Sequence, residues 1–279
     1  MRLLLVVLLA AALVPAARAV PRPVTETAQL GDVRATLAYL FEPDAGTFTQ
    51  VRFTVERAGR VVLDGPPPPI CTSCEAWPGS GGDSRRSSVH VSDLDRNGEP
   101  VVLLDLYTGG AHCCLYTLFF RWDGSAYTAR RHNWGNPGYR FRDVDGDGVP
   151  EFVTADDRFN YAFSCYACSA APIRIFHMRR GKLVPVTRRF PALIRRDAAT
   201  IWRSYRSSVR RHDGDPSGLL PGYLADQYLL GHARLGWARV RAAVGKRDWP
   251  QLVTERQWRT PARYLAAVRR FLRTTGYVR

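Results

Sequence analysis

From Val33 to Phe41 the apolar side chains fall on every second position, Val33, Ala35, Leu37, Tyr39 and Phe41, and the alternation resumes from Val51 to Val55. Period two marks a half-buried strand, because successive side chains of an extended chain point to opposite faces. Arg57-Ala58-Gly59-Arg60 then turns the chain into Val61 to Leu63. A short antiparallel meander is expected, closed by the Pro66 to Pro69 run, whose residues cannot donate to a sheet.

The next stretch repeats itself. Ser92-Asp93-Leu94-Asp95-Arg96-Asn97-Gly98-Glu99-Pro100 is matched fifty positions later by Arg142-Asp143-Val144-Asp145-Gly146-Asp147-Gly148-Val149-Pro150. Each acidic segment leads into an apolar strand, Val101 to Leu106 and Phe152 to Thr154. Each unit later closes with a hairpin, at Asp123-Gly124 and at Arg180-Gly181, and the second carries an insertion around Cys165 to Cys168. Strand-built repeats of this length read as blades of a propeller or a related stacked-sheet array.

After Pro191 the period becomes helical. Asp197 is expected to cap a helix with Ile201, Tyr205 and Val209 on one face, and Leu224, Tyr228 and Leu235 form the stripe of a second. Thr260-Pro261 opens a third with Tyr264, Leu265, Val268, Phe271 and Leu272, and Gly276 closes it. These stripes predict a small helical core. The fold class is therefore α+β: an antiparallel β region with propeller-blade-like repeats over residues 20–190, then a helical region over 191–279.

The first nineteen residues form a separate segment. Arg2, the apolar run Leu3 to Val14 and Ala17-Arg18-Ala19 have the three parts of a secretory signal, and cleavage is expected after Ala19. A secreted or periplasmic, soluble mature chain follows. The formal net charge is +15, and removing Arg2 and Arg18 leaves 15 − 2 = +13. Such a charge favours acidic polymers, but Lys occurs only at 182 and 246. The skew towards Arg fits a GC-rich genome, and the Arg residues are spread along the chain. Nucleic acid is not the expected partner.

Asp143, Asp145, Asp147 and Glu151 stand at positions one, three, five and nine of the second acidic loop, with Gly146 and Gly148 between them. Calcium takes six to eight oxygens, and closely spaced carboxylates on a tight glycine turn can converge on one ion, with the Val149 carbonyl as a further ligand. An EF-hand would place Glu at the twelfth position, where Thr154 stands. The first loop offers a weaker set, Asp93, Asp95, Asn97 and Glu99, because Val101 occupies its ninth position. Both loops also read as Asp-Gly turns. Asp213-Gly214-Asp215-Pro216 resembles them only at its start and is expected to be a helix entry.

Six cysteines fall as Cys71 and Cys74, Cys113 and Cys114, and Cys165 and Cys168. In an oxidising compartment they predict three disulfides. Neighbouring strand residues face opposite ways, so Cys113 and Cys114 are expected to bond to Cys71 and Cys74 in some order, with Cys165 and Cys168 closing the inserted loop. A Cys113–Cys114 bridge is the alternative. His112, in the loop Tyr107 to Cys114, is a candidate ligand-site residue or a packed neighbour. Nucleophile elbows, H-E-x-x-H, phosphate-cradling loops and dinucleotide fingerprints are missing from the sequence.

The ninth-position Glu151, followed by a strand, resembles the calcium loops of FG-GAP and VCBS-type repeats, including those of integrin α-chain propellers, over about residues 89–190. The resemblance implies side-chain ligation by Asp143, Asp145, Asp147 and Glu151, carbonyl ligation by Val149, and an ion that stitches adjacent strands together. It also implies a non-enzymatic module for adhesion or for binding an envelope polymer or protein ligand. The alternatives are an exported enzyme, either a hydrolase or a thiol-disulfide oxidoreductase, and a polyanion-binding protein.

Overall fold

The computed structural model describes residues 19–72, 74–80, 86–111, 113–212, 215–245, 258 and 260–278. Residues 1–18 of the expected signal, His112, and Asp213 with Gly214 lie outside the described residues. Three antiparallel sheets are followed by helices, so the α+β class is observed. Among the described residues the sheets do not close into a barrel or a propeller ring.

Sheet 1 is the meander β1 (Arg22–Leu30), β2 (Val33–Glu42), β3 (Thr47–Arg57) and β4 (Arg60–Gly65). Val33, Ala35, Leu37, Tyr39, Phe53 and Val55 are buried on one face. Ala58 and Gly59 both have positive φ, 47° and 74°, the two-residue turn whose twist suits a hairpin. β1 escapes the sequence reading because it is an edge strand whose best-covered residues are only half-buried.

Sheet 2 contains β5 (Trp77–Pro78), β6 (Val89–Ser92), β7 (Val101–Gly110), β8 (Cys113–Trp122) and β9 (Tyr127–Gly135), with β5 and β6 both pairing with β7. Sheet 3 is β10 (Arg140–Arg142), β11 (Glu151–Ala155), β12 (Ile173–Arg179) and β13 (Lys182–Pro185). Sheet 2 lies between the other two. Val102, Leu104, Leu106, Leu118 and Phe120 pack on sheet 1, whereas Val101, Leu103, Phe119 and Trp134 pack on Phe152, Phe176 and Met178 of sheet 3. Burial on both faces explains why β7 begins as a continuous apolar run.

The far face of sheet 3 meets the helical region through Ile175, Val186 and Phe190. Among the described residues four helices follow: α1 (Pro191–Arg211), α2 (Leu219–Leu229), α3 (Ala233–Val244) and α4 (Pro261–Thr274). Their core includes Leu220, Leu224, Val240, Tyr264, Val268 and Leu272, all fully buried, and also Phe159 and Phe163 from the insertion between β11 and β12. The insertion thus ties the β region to the helices. Thr260 caps α4 by accepting from the Arg263 N–H, and Asp215 caps a short 3-10 turn at Pro216–Gly218.

Three expectations are corrected. Asp197 lies within α1, which starts at Pro191, and its carboxylate accepts from the backbone N–H of Ile173 at 2.9 Å; proline at the first turn, not Asp197, begins the helix. Leu235 belongs to a different helix from Leu224 and Tyr228 and is 65% exposed, because the chain breaks at Gly231 with φ 76°. The disulfides are Cys71–Cys74, Cys113–Cys114 and Cys165–Cys168, all local, so the expected crosslink from Cys113 and Cys114 to Cys71 and Cys74 does not form. The β7–β8 register shifts between Tyr107 and Gly110, so regular strand alternation, the basis of that expectation, is broken beside Cys113.

Candidate metal centre

The two acidic segments occupy the same place in their sheets. Loop 93–100 joins β6 to β7 with Ser92 opposite Val101, and loop 143–150 joins β10 to β11 with Arg142 opposite Glu151. Their internal bonds correspond as well. Asp93 accepts from the N–H groups of Asn97 and Gly98 at 3.1 and 2.8 Å; Asp143 accepts from those of Gly146, Asp147 and Gly148 at 2.7, 3.2 and 2.8 Å. Asn97 then receives the Glu99 N–H and Asp147 the Val149 N–H. These are the turn-forming bonds that make Asp and Asn frequent in such loops. Gly98 and Gly148 have φ of 80° and 85°, a backbone region that favours glycine.

The difference lies at the ninth position. Val101 is an apolar side chain in the core between sheets 2 and 3. Glu151 is fully buried; its Oε2 accepts from the Val144 N–H at 2.9 Å, and its Oε1 has no hydrogen-bond partner. Burial, and then the nearby charges of Asp145 and Asp147, push its carboxyl above the usual range, opposed by the Val144 N–H and by His177. Carboxylate oxygens of Asp143, Asp145 and Glu151 all lie within 4.8 Å of one another. Three hard oxygen donors, one of them buried with an unsatisfied lone pair, fit the donor chemistry of calcium.

The remaining side chains predicted as ligands are placed elsewhere. Asp147 forms an ion pair with Arg96 at 3.2 Å and stands outside the triad. Val149, expected to ligate through its carbonyl, has its side chain buried between sheets 2 and 3. In the first loop, Asp95 accepts from Arg121 at 2.8 Å and from the Gly181 N–H at 3.0 Å. Glu99 turns towards sheet 1, where Arg57 grips it through two bonds of 2.6 and 2.9 Å. The first set is therefore not assembled as a metal site among the described residues, and arginines pair with two of its acids, Asp95 and Glu99.

Between the loops lies a cleft of about 610 Å³ lined by Asp95, Arg96, Asp147, His177 and Arg189 among others. The sequence reading missed His177 and these arginines because nothing in local spacing brings β12 and the segment after β13 to the loops. Two further carboxyl groups also went unnoticed. Asp105 is buried in sheet 2, where it accepts from Thr117 and Tyr139, and burial pushes it up to about 7. Asp226 is fully buried in α2, raised first by burial and then by the charge of Asp197.

Residues 194–276 match the family model described as the sll0997 C-terminal domain. The chain is 36% identical over 155 residues to the "Probable thylakoid lumen protein sll0997" of Synechocystis sp., covering 53% of this chain and 45% of that protein. It is 28% identical over 207 residues to the "Uncharacterized protein y4bJ" of Sinorhizobium fredii, covering 72% of this chain and 31% of that protein. The chain thus spans less than half the length of each of these relatives. No solved structure matches it.

Proposed function

We propose that this chain is an exported, non-enzymatic binding module in which loop 143–151 holds a structural calcium ion. The observation that carries the reading is Glu151: a fully buried carboxylate with an unpartnered oxygen, drawn together with Asp143 and Asp145. A divalent cation would relieve the repulsion among three carboxylates and satisfy the buried oxygen. The likeness of the loop to FG-GAP and VCBS-type calcium loops supports a structural role. An ion there would brace the β10–β11 connection beside the seam between sheets 2 and 3.

Export is supported by the signal-like N-terminus, by three disulfides of the kind that persist in oxidising compartments, and by a relative named for the thylakoid lumen. They support a mature chain outside the cytoplasm, periplasmic or secreted. Among the described residues no helix is long and apolar enough to cross a membrane. The partner class, an envelope polymer or protein ligand, comes from the FG-GAP resemblance.

Calorimetric titration of the mature, oxidised protein with calcium tests the reading, with thermal melts alongside. Stoichiometric binding that raises the melting temperature, and that disappears in the Asp145→Ala, Glu151→Ala double variant, is expected. No binding at millimolar calcium would remove the ion and leave the loop as an Asp-Gly turn.

A further inference from the structure

The helical region does not seal the far side of sheet 3. A cleft of about 550 Å³ remains, bounded by β12, β13, the segment Val186–Arg189, the end of α2 and the residues after α4. That volume falls within the range of about 300 to 1,000 Å³ usual for small-molecule sites. Val184, Val186 and Leu229 give it an apolar side. Arg158, Arg174, Arg179, Arg188 and Arg189 also line it.

Two of these arginines are held in place by protein oxygens. Arg158 is bonded to Asp156 through its Nε at 2.8 Å and reaches the Thr275 carbonyl at 3.2 Å. Arg188 donates to the carbonyls of Tyr228 and Leu229 at 3.1 and 2.7 Å. Arg189 has one ion pair, with Asp145 at 3.4 Å, and Arg174 packs over the Phe176 ring at 4.7 Å. Among the described residues neither Arg174 nor Arg179 forms an ion pair with a carboxylate. Five guanidinium groups therefore share two acidic partners, Asp156 and Asp145. A surplus of cations around an apolar wall is what an anion with an apolar part would neutralise, and guanidinium groups suit phosphate and carboxylate geometry.

We propose that this cleft binds a small organic anion, a phosphate or carboxylate head on a short apolar chain. The head lies at Arg179 and Arg189, and the chain lies along Val184 and Val186. Arg179 and Arg189 also line the neighbouring cleft between the acidic loops, so this end of the groove is the more cationic. The proposal goes beyond the calcium reading and does not depend on it, because none of the carboxylate triad lines the cleft.

The test is calorimetry on the mature, oxidised full chain with calcium chelated, so that failure of the calcium site leaves it intact. The probe is hexyl phosphate, compared with inorganic phosphate and hexanol. Hexyl phosphate is expected to bind at least about tenfold more tightly than either, with affinity falling as salt rises. The Arg179→Gln, Arg189→Gln variant changes two exposed side chains, and its melt should match that of the parent. It is expected to lose about tenfold or more in affinity, as for removal of charge-assisted hydrogen bonds. Absence of hexyl phosphate binding, or equal affinity in the folded variant, would overturn the proposal.

Phosphatidylglycerol and phosphatidylcholine vesicles separate two sources of the same chemistry. Binding to phosphatidylglycerol alone, displaced by hexyl phosphate and lost in the variant, assigns the head to a lipid. Hexyl phosphate binding without vesicle binding assigns it to a free anion. Vesicle binding that survives in the variant counts against the cleft.

Discussion

Two loops with corresponding internal hydrogen bonds and the same register have met their negative charge in different ways. In loop 93–100 two of the three acids have an arginine, Arg57 on Glu99 and Arg121 on Asp95, while Asp93 accepts only backbone N–H groups. The position that enters the core is Val101. In loop 143–150 the corresponding position is Glu151, and its buried oxygen is left unpaired. The turn alone does not make an ion site. Arginines pair with acids of both loops, Arg57 and Arg121 in the first and Arg96 and Arg189 in the second, so what separates them is the residue at the start of the following strand.

Exchanging that residue should have the largest effect. Val101→Glu puts a carboxylate into the core between sheets 2 and 3, where Asp95 and Glu99 are already committed to arginines and no triad awaits it. A destabilisation of about 3–5 kcal/mol is expected in urea melts, the scale for an unpaired buried charge. A cost below about 1 kcal/mol would mean that the first loop can reorganise around a carboxylate and that the comparison overstates the difference.

Calcium should act on the second loop by a smaller amount. For a site with a dissociation constant of ~0.1 to 1 mM, calcium at about 10 mM adds roughly 1–3 kcal/mol to stability. The gain depends on pH through Glu151, whose folded carboxyl sits above its usual range. The folded chain holds that proton after the unfolded chain has lost it. Without calcium, this carboxyl makes stability fall as pH rises from the ordinary glutamate range through the raised value, and then level off. Calcium competes with the same proton, so its affinity rises over that window. Titrations across it should show both trends, and Glu151→Gln should abolish both.

Much of this was legible in sequence, but unevenly. The strands of the meander and the first and third helical stripes follow local periodicity, and local periodicity is what a strand or helix obeys; the second stripe ran Leu235 on across the break at Gly231. Asp143, Asp145 and Glu151 could be read as one set because a single turn brings them together. Asp147 could not be separated from them by spacing, since Arg96 comes from the other loop. Glu99 offered the same trap: within its own segment it looks like a ligand, and only the approach of sheet 1 supplies Arg57. The cysteine pairing failed for a related reason, because strand alternation was carried across a hairpin whose register shifts. Long-range partners have no signature in spacing, and the arginines that pair with the acids of both loops are long-range.

Arg121 offers an intermediate test. Asp95 accepts from its guanidinium and from the Gly181 N–H of the β12–β13 turn, and an added Cβ at Gly181 would clash with the guanidinium. Arg121→Ala leaves a carboxylate that is nearly buried with only the Gly181 N–H. A loss of about 1–3 kcal/mol is expected, the usual cost of removing one partner from a buried acceptor. Calcium should not restore it, because Val101 supplies no oxygen. If millimolar calcium did rescue this variant, the arginine would be a replaceable counter-ion and the first loop a masked metal site.

The smallest effect should come from Arg189. It touches Asp145 at 3.4 Å and is about half-exposed, so it contributes little to stability, as exposed ion pairs generally do. Its charge nevertheless stands beside a carboxylate that the cation would use. Arg189→Gln removes that competitor and should tighten calcium by about two- to threefold, within the range of weak surface pairs. The increase should shrink as salt screens the pair. Calorimetry on parent and variant at low and high salt reads both. Weaker calcium binding in the variant would show that Arg189 holds Asp145 in position for the ion, making the arginine of the second loop a support for the site and not its rival.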